Sequence, residues 1–358
     1  LDSVNEFWHE VRKEKMAKSD FDFSDFIFTE FLMESFWLEN EERKFSVNVS
    51  FGDARFLGNV AFEEIQFLKD ADFTYAQFSG ITSFVNVKFS GKTLFNRSRF
   101  FGESFWSNIS LLGNEEITFR STYFPDDHII VFEDWNIERY IIFLWALLPS
   151  KFQFLNFKFD NVIIQDCSLS KVEFTNCQFR KIEGRIALAN DVSKDYKNLS
   201  NTYRQLKKNF MDAKDWENAG DAYRSEMYIK RKLIWLGYKD GQYHKMINWC
   251  IMGLHEHLSG YQQSIALAFL WLMILLITSP MLIFMIGFFH QPCFSNTVCW
   301  NQIVQAGITS LNASLPVVGK ISTEGYSKEL YFYLVFERLF SVVLITFFVL
   351  AMRARLRQ

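Results

Sequence analysis

The chain has 358 residues, enough for two or three structural units. Its net charge of −3 excludes bulk electrostatic attraction to nucleic acid. Five cysteines, with neither zinc-ligand spacing in the polar part nor disulfide-scaffold density, leave 41 phenylalanines as the compositional anomaly to explain.

Residues 2–18 read as a charged, polar helix, a cap or docking segment with no signal-peptide pattern. The first residue is Leu rather than Met, which reads as a trimmed chain or fragment. Next, FDFSDFIFTEFLMESFWL pairs Phe21 with Phe23, Phe26 with Phe28, Phe31 with Met33 and Phe36 with Leu38. Two inward side chains per five residues describe a four-sided coil with one five-residue edge per side.

Phe then recurs at 45, 51, 56, 62, 67, 73, 78, 84, 89, 95, 100 and 105. The step alternates between six and five, so the unit is eleven, which fits neither a helix nor a plain strand. A fixed short period over this length predicts a solenoid whose rings fill one continuous core. Two positions before each ring sits a smaller residue: Ala54, Val60, Ile65, Ala71, Ala76, Thr82, Val87, Thr93 and Ser98. Small-then-large suits a narrow tube. Glycines at 52, 58, 80, 91 and 102 are expected at corners needing unusual backbone angles.

From 109 to 151 the pattern blurs. Phe119, Phe124, Phe132, Ile137, Ile142 and Leu147 keep the step. The apolar YIIFLWALLP, 140–149, reads as a coil or helix packed on the solenoid, or as a membrane-surface or subunit contact. Residues 152–182 restore a period of five, centred on Phe154, Phe159, Ile164, Leu169, Phe174 and Phe179. Cys167 and Cys177 occupy the small core position rather than a redox or metal site.

These segments resemble the pentapeptide-repeat family, whose unit is A(D/N)LXX with the central Leu often replaced by Phe. VEFTNCQFRKI and DARF are close matches, and the eleven-residue form looks like a Phe-rich variant, over roughly 21–182. The resemblance implies a right-handed quadrilateral β-helix over 21–185, irregular at 109–151, after an N-terminal helix or cap at 1–20.

From Asp191 to Trp235 helical signals replace the repeat. Two helices broken near Asp212–Asp215 place Tyr203, Leu206 and Phe210 on one face and Ala219, Ala222, Tyr223 and Met227 on another. The pair resembles one tetratricopeptide-like hairpin. It also resembles a linker found between pentapeptide repeats and membrane helices in bacterial proteins, which assigns 186–258 to a hairpin linker and interfacial helix. Residues 246–258 read as that interfacial helix, with Trp249 as anchor.

No Asp, Glu, Lys or Arg occurs from His257 to Gly319. The membrane domain is expected over 259–358, with spans at 264–289 and 330–352. Thr278, Ser279 and Pro280 are expected to kink the first span, a hydroxyl satisfying a freed backbone group. Basic residues precede the first span and follow the second, so both termini are expected in the cytoplasm. By resemblance the membrane is a bacterial inner membrane.

Between the spans, Cys293 and Cys299 suit a disulfide in an oxidising compartment, against the alternative of free thiols. The uncharged segment 300–319 is too short and polar to span. It suits a re-entrant helix with Thr309, Ser310, Asn312 and Ser314 as polar pore candidates, or an interfacial helix. Span, re-entrant helix, span resembles the plan of two-helix cation channels, without a TVGYG filter. Glu337 and Arg338 lie inside the second span, as an inter-subunit salt bridge, as a Glu ring lining a pore mouth, or snorkelling to the interface.

No catalytic motif and no cofactor or metal site is present in the sequence, so an enzyme is not expected. His255 and His257 read as interfacial side chains. The expected function is an oligomeric ion channel or pore with a cytoplasmic sensing or assembly domain. Its partners are the lipid bilayer, further copies of the chain through the membrane domain, and a protein on the β-helix. The alternative is a membrane-anchored scaffold without transport. DNA mimicry needs an acidic rod, whereas 45–108 carries six acids and six bases.

Overall fold

A computed structural model describes residues 10–15, 18, 21–29, 31–32, 42–113, 115–192, 195–241, 245–261, 263–290, 296–315 and 327–356. Met33, Phe36 and Leu38 lie outside them. The chain divides into two compact units, Leu1–Leu233 and Ile234–Gln358.

The first unit is a parallel β-solenoid whose short strands stack into four sheets. The first sheet holds seven strands, which marks about six turns. Ala71 pairs with both Val49 and Thr93, and Thr82 with both Val60 and Ser104, so one full turn takes 22 residues. The eleven-residue unit is therefore two sides of the coil. Four columns of rings fill the tube, one ring from each column per turn. Phe51, Phe73, Phe95, Phe119 and Phe143 stack with centroids 5.0, 4.6, 5.2 and 5.0 Å apart. Phe56, Phe78, Phe100 and Phe124 do the same at 4.8, 4.6 and 5.0 Å. Each buried ring contributes about 1.5–3 kcal/mol by leaving water, and stacked neighbours add roughly 0.5–1.5 kcal/mol more.

Two kinds of corner explain the alternation of five and six. Asp53, Glu64, Tyr75, Asn86, Arg97 and Asn108 all have φ between 53° and 61°. Each turns the chain within a five-residue step. The other corners contain Gly58–Asn59, Lys69–Asp70, Gly80–Ile81 and Gly91–Lys92 and take six residues. There a side-chain oxygen of one coil accepts from the backbone of the next: Asn59 Oδ1 from Ile81 N at 3.0 Å, and Asp70 Oδ1 from Lys92 N at 2.9 Å.

The glycine expectation is corrected here. None of the glycines at 52, 58, 80, 91 and 102 has a positive φ, and the left-handed corners belong to non-glycine residues. Glycine is needed at 80, 91 and 102 because coils touch. A Cβ would lie 2.6 Å from Gly58 C, 2.3 Å from Lys69 C and 2.5 Å from Gly80 O respectively.

The ring series also needs correction at three places. Phe105 faces outward, and Trp106 enters the column between Phe84 and Phe132, at 4.1 and 5.3 Å. Phe26, after the left-handed Asp25, takes a site that is Ala54 or Ala76 in later coils and is pushed to 39% exposure. In 140–149 the inward residues are Ile141, Phe143, Ala146 and Leu148, while Ile142 and Leu147 face out. That stretch is a solenoid coil, paired to 117–120 and 162–165. Turns here lengthen to 24 residues between Thr93, Ile117 and Ile141, and shorten to 20 between Gln153 and Glu173.

The last coil is covered by α1 (Tyr196–Asp212) and α2 (Trp216–Lys239). An open solenoid end would expose rings and backbone groups. Phe210 closes it, 5.8 Å from Phe174 and 5.3 Å from Phe179. Asn209 Nδ2 donates to the carbonyls of Leu169 and Val172 at 2.9 and 2.5 Å, and Gln205 Oε1 accepts from Leu169 N at 2.6 Å. The hairpin turns at Lys214, φ 60°, and Asp215 Oδ1 caps α2 by accepting from Asn218 N at 3.1 Å. Between the helices the buried Glu226 carboxylate meets Lys230 at 2.6 Å, Arg204 at 3.1 Å and Lys207 at 3.3 Å. Burial alone raises its pKa; hydrogen bonds from Lys230 and Arg204 and the charges of Lys207 and Lys230 outweigh that and hold it below the ordinary value.

The second unit is helical: the end of α2, α3 (Lys245–Ser259), α4 (Ile265–His290), α5 (Asn296–Ser314) and α6 (Lys328–Leu356). α4 and α6 are long and apolar enough to cross a membrane. Their 26 and 29 residues correspond to roughly 39 and 43 Å.

Candidate functional site

The site lies where α4, α5 and α6 meet. Ile283, Ala306, Ala313, Leu330 and Leu334 form its apolar centre, with Phe284, Ile286 and Tyr333 packed against them. Small residues on α5, Ala306 and Ala313, let the helices approach closely.

Within this packing Glu337 has no exposed surface. Its Oε1 accepts from Ser310 Oγ and from Ser314 Oγ, both at 2.7 Å. Ser310 and Ser314 are one helical turn apart, so both hydroxyls reach one oxygen. Oε2 is buried without a hydrogen-bond partner among the described residues. One turn N-terminal on α6, Tyr333 donates to Ser279 Oγ of α4 at 2.9 Å. The neighbouring Arg338 points at the end of α5. Its Nη2 donates to Asn312 O at 2.9 Å and its Nε to Ala313 O at 3.3 Å. Those carbonyls are among the last of the helix, where a cation is favoured by the helix dipole.

The four polar candidates on α5 divide into two pairs. Ser310 and Ser314 turn inward to Glu337. Thr309 keeps its hydroxyl on its own helix, donating to Gln305 O at 2.8 Å, and Asn312 is exposed. Glu337 and Arg338 each engage α5 separately. Cys299 is disulfide-bonded; Cys293 and residues 316–326 lie outside the described residues.

The hydroxyl expected to repair the backbone at Pro280 does something else. Thr278 Oγ1 donates to Ile274 O at 2.8 Å, and Ser279 is engaged by Tyr333. The carbonyl that Pro280 leaves without its N–H belongs to Leu276.

The His255 ring is half-buried, whereas the His257 side chain is exposed and that residue is engaged through its main-chain carbonyl. The His255 ring lies 4.9 Å from Phe347 and 5.5 Å from Tyr261, and burial pushes its pKa down. His257 O accepts from Trp271 Nε1 at 2.9 Å. In the solenoid Cys167 and Cys177 are free thiols that burial pushes up to about 12 and about 11, so both are poor nucleophiles.

The Tyr333–Ser279 bond and the capping of α5 by Arg338 are absent from the sequence reading. A signal existed: Tyr333 and Glu337 on one helix, and Ser310 and Ser314 on another, are both polar pairs at i, i+4. No family model, curated protein or solved structure matches the chain.

Proposed function

We propose that the chain is a subunit of a homo-oligomeric membrane ion channel or pore. Its Phe-rich solenoid is read as a pentapeptide-repeat domain for sensing or assembly, cytoplasmic like both termini, at a bacterial inner membrane. The observation that carries this reading is the fastening of α5 by Glu337 and Arg338. Glu337 stands nine residues after Lys328, about 13 Å along α6. A charged pair at that depth has a functional explanation if it holds a short uncharged helix inside the bilayer. Arg353 beyond the second span supports the orientation.

In this reading Ser310, Ser314 and Glu337 brace α5, and Thr309 and Asn312, which do not engage Glu337, line a path. Two spans enclose no water path, so several copies are required. Reconstitution of the full chain in planar bilayers, with its mass measured in detergent, tests the proposal. Unitary conductance from an oligomer is expected; a silent monomer overturns it.

One observation favours the second reading, a membrane-anchored scaffold. The second side of the solenoid exposes Leu57, Phe101, Tyr123 and Leu147, with Trp145 beside them, as a partner surface. If that reading holds, replacing both spans with an unrelated anchor preserves function.

A further inference from the structure

We infer that the corner between the end of α2 and α3 binds the headgroup of an anionic phospholipid, in the leaflet at the basic end of α6. The inference rests on the reading that α4 and α6 lie in a bilayer, and not on conduction.

α3 leaves an apolar stripe uncovered. Ile247, Ile251 and Leu254 follow the i, i+4, i+7 spacing and are 68, 59 and 54% exposed. Two contacts fix the level of this helix against the spans. His257 O accepts from Trp271, six residues into α4, and the His255 ring lies on Phe347, six residues before Arg353 in α6. Each distance corresponds to about 9 Å of helix. Both place α3 at one depth, that of an interfacial helix whose apolar face reaches the acyl chains.

The charged groups stand beside the stripe. Trp235 packs on Trp249 at 5.1 Å and on Tyr238 at 5.3 Å, making an aromatic platform. Lys239 Nζ is 5.7 Å from the Trp235 ring centre. Lys245 runs across Gly237, whose missing side chain makes the room: a Cβ there would lie 2.8 Å from Lys245 Nζ. Two ammonium groups thus flank interfacial aromatics, an arrangement suited to a phosphate at headgroup level. The acids between Ile234 and Gln263 are Asp240 and Glu256, and Glu256 accepts from Tyr261 at 3.3 Å. A choline headgroup brings its own cation toward the two lysines, whereas a glycerol headgroup brings none. Phosphatidylglycerol is therefore the matching class.

The test uses the full chain in nanodiscs of equal phosphatidylglycerol and phosphatidylcholine, extracted gently and weighed with its retained lipid by native mass spectrometry. The wild-type chain is expected to retain phosphatidylglycerol in at least about fivefold preference. The double variant Lys239→Glu/Lys245→Glu is expected to bring the ratio to about one while its circular dichroism is unchanged. Should that variant not fold, Lys239→Gln/Lys245→Gln gives the same reading with a smaller drop. Equal retention by the wild type, an unchanged ratio in a folded variant, or displacement of the lipid by millimolar inorganic phosphate overturns the site. Release of the chain from membranes by alkaline carbonate overturns the bilayer reading itself, and so separates the two failures.

Discussion

Trp106 stacks on Phe84 with ring centroids 4.1 Å apart and planes 12° from parallel. Its carbonyl also accepts from Trp135 Nε1 at 3.0 Å. An indole therefore continues a phenylalanine column, and the adjacent Phe105 is left on the outer surface.

Trp106→Ala is expected to destabilise the solenoid by about 3–5 kcal/mol, because neighbouring coils are held apart by backbone bonds and cannot close the cavity. Trp106→Phe restores the column type and costs about 1–1.5 kcal/mol. Phe105→Ala costs under about 1 kcal/mol. Chemical denaturation followed by circular dichroism ranks the three; equal effects at 105 and 106 would contradict the assignment.

The glycine corners make a sharper contrast. At Gly80 a Cβ meets the backbone of Gly58 at 2.6 Å, while at Gly52 the nearest atom is 3.5 Å away. Neither has a positive φ. Gly80→Ala is expected to cost about 1–3 kcal/mol through overpacking. Gly52→Ala is expected to be neutral or to stabilise by about 0.4–1 kcal/mol through the unfolded chain. Thermal midpoints of the two variants decide; a tolerated alanine at 80 would mean the coils can separate.

The solenoid was legible because Phe alternates with polar residues, so each ring announces its phase. Where the contrast disappears, so does the phase. In YIIFLWALLP nearly every residue is apolar, and sequence spacing selected Ile142 and Leu147 where the coil buries Phe143 and Leu148. At Phe105–Trp106 two aromatics are adjacent, and only the six-residue corner at Gly102–Glu103 decides between them. Glycine misled for a different reason. Its close backbone approach depends on a coil 22 residues away, and no local pattern carries that distance. On the membrane side the sequence singled out Ser310, Ser314 and Glu337 as pore candidates, and carried no sign that the three meet at one oxygen. Helix–helix register is set by packing, and a uniformly apolar span carries little information about which face turns inward.

Glu226 makes the cap sensitive to acid. Its carboxyl is held below the ordinary value in the folded chain, so the folded state binds the proton less readily than the unfolded state. The stabilisation is fully present above the unfolded value, about 4.3, and is lost as pH falls through the lower folded value. Glu226→Gln is expected to cost roughly 1–3 kcal/mol at neutral pH and to flatten the acid limb of a stability–pH curve. Hydrogen exchange of α1 amides between pH 3 and 7 measures it. An identical acid limb in the variant would assign the loss to other carboxylates.

Glu337 ties Ser310 and Ser314 through one oxygen, so their contributions cannot be independent. Removing either hydroxyl leaves the carboxylate oxygen with the other donor, and each single alanine is expected to cost under about 1 kcal/mol. Removing both strands a buried carboxylate with no donor at either oxygen, and the double variant is expected to exceed the sum by about 0.5–3 kcal/mol. Glu337→Gln keeps an acceptor for both hydroxyls and is expected to be milder than Glu337→Ala, which leaves two buried hydroxyls unpaired. Arg338→Lys separates the second contact from the first. Lysine keeps the charge near the end of α5 but loses the planar fork that reaches Asn312 and Ala313 together. Thermal unfolding of the full chain in nanodiscs gives all six midpoints. Strict additivity of the two serine variants, or a Gln as damaging as Ala at 337, would show that α5 is held by apolar packing alone.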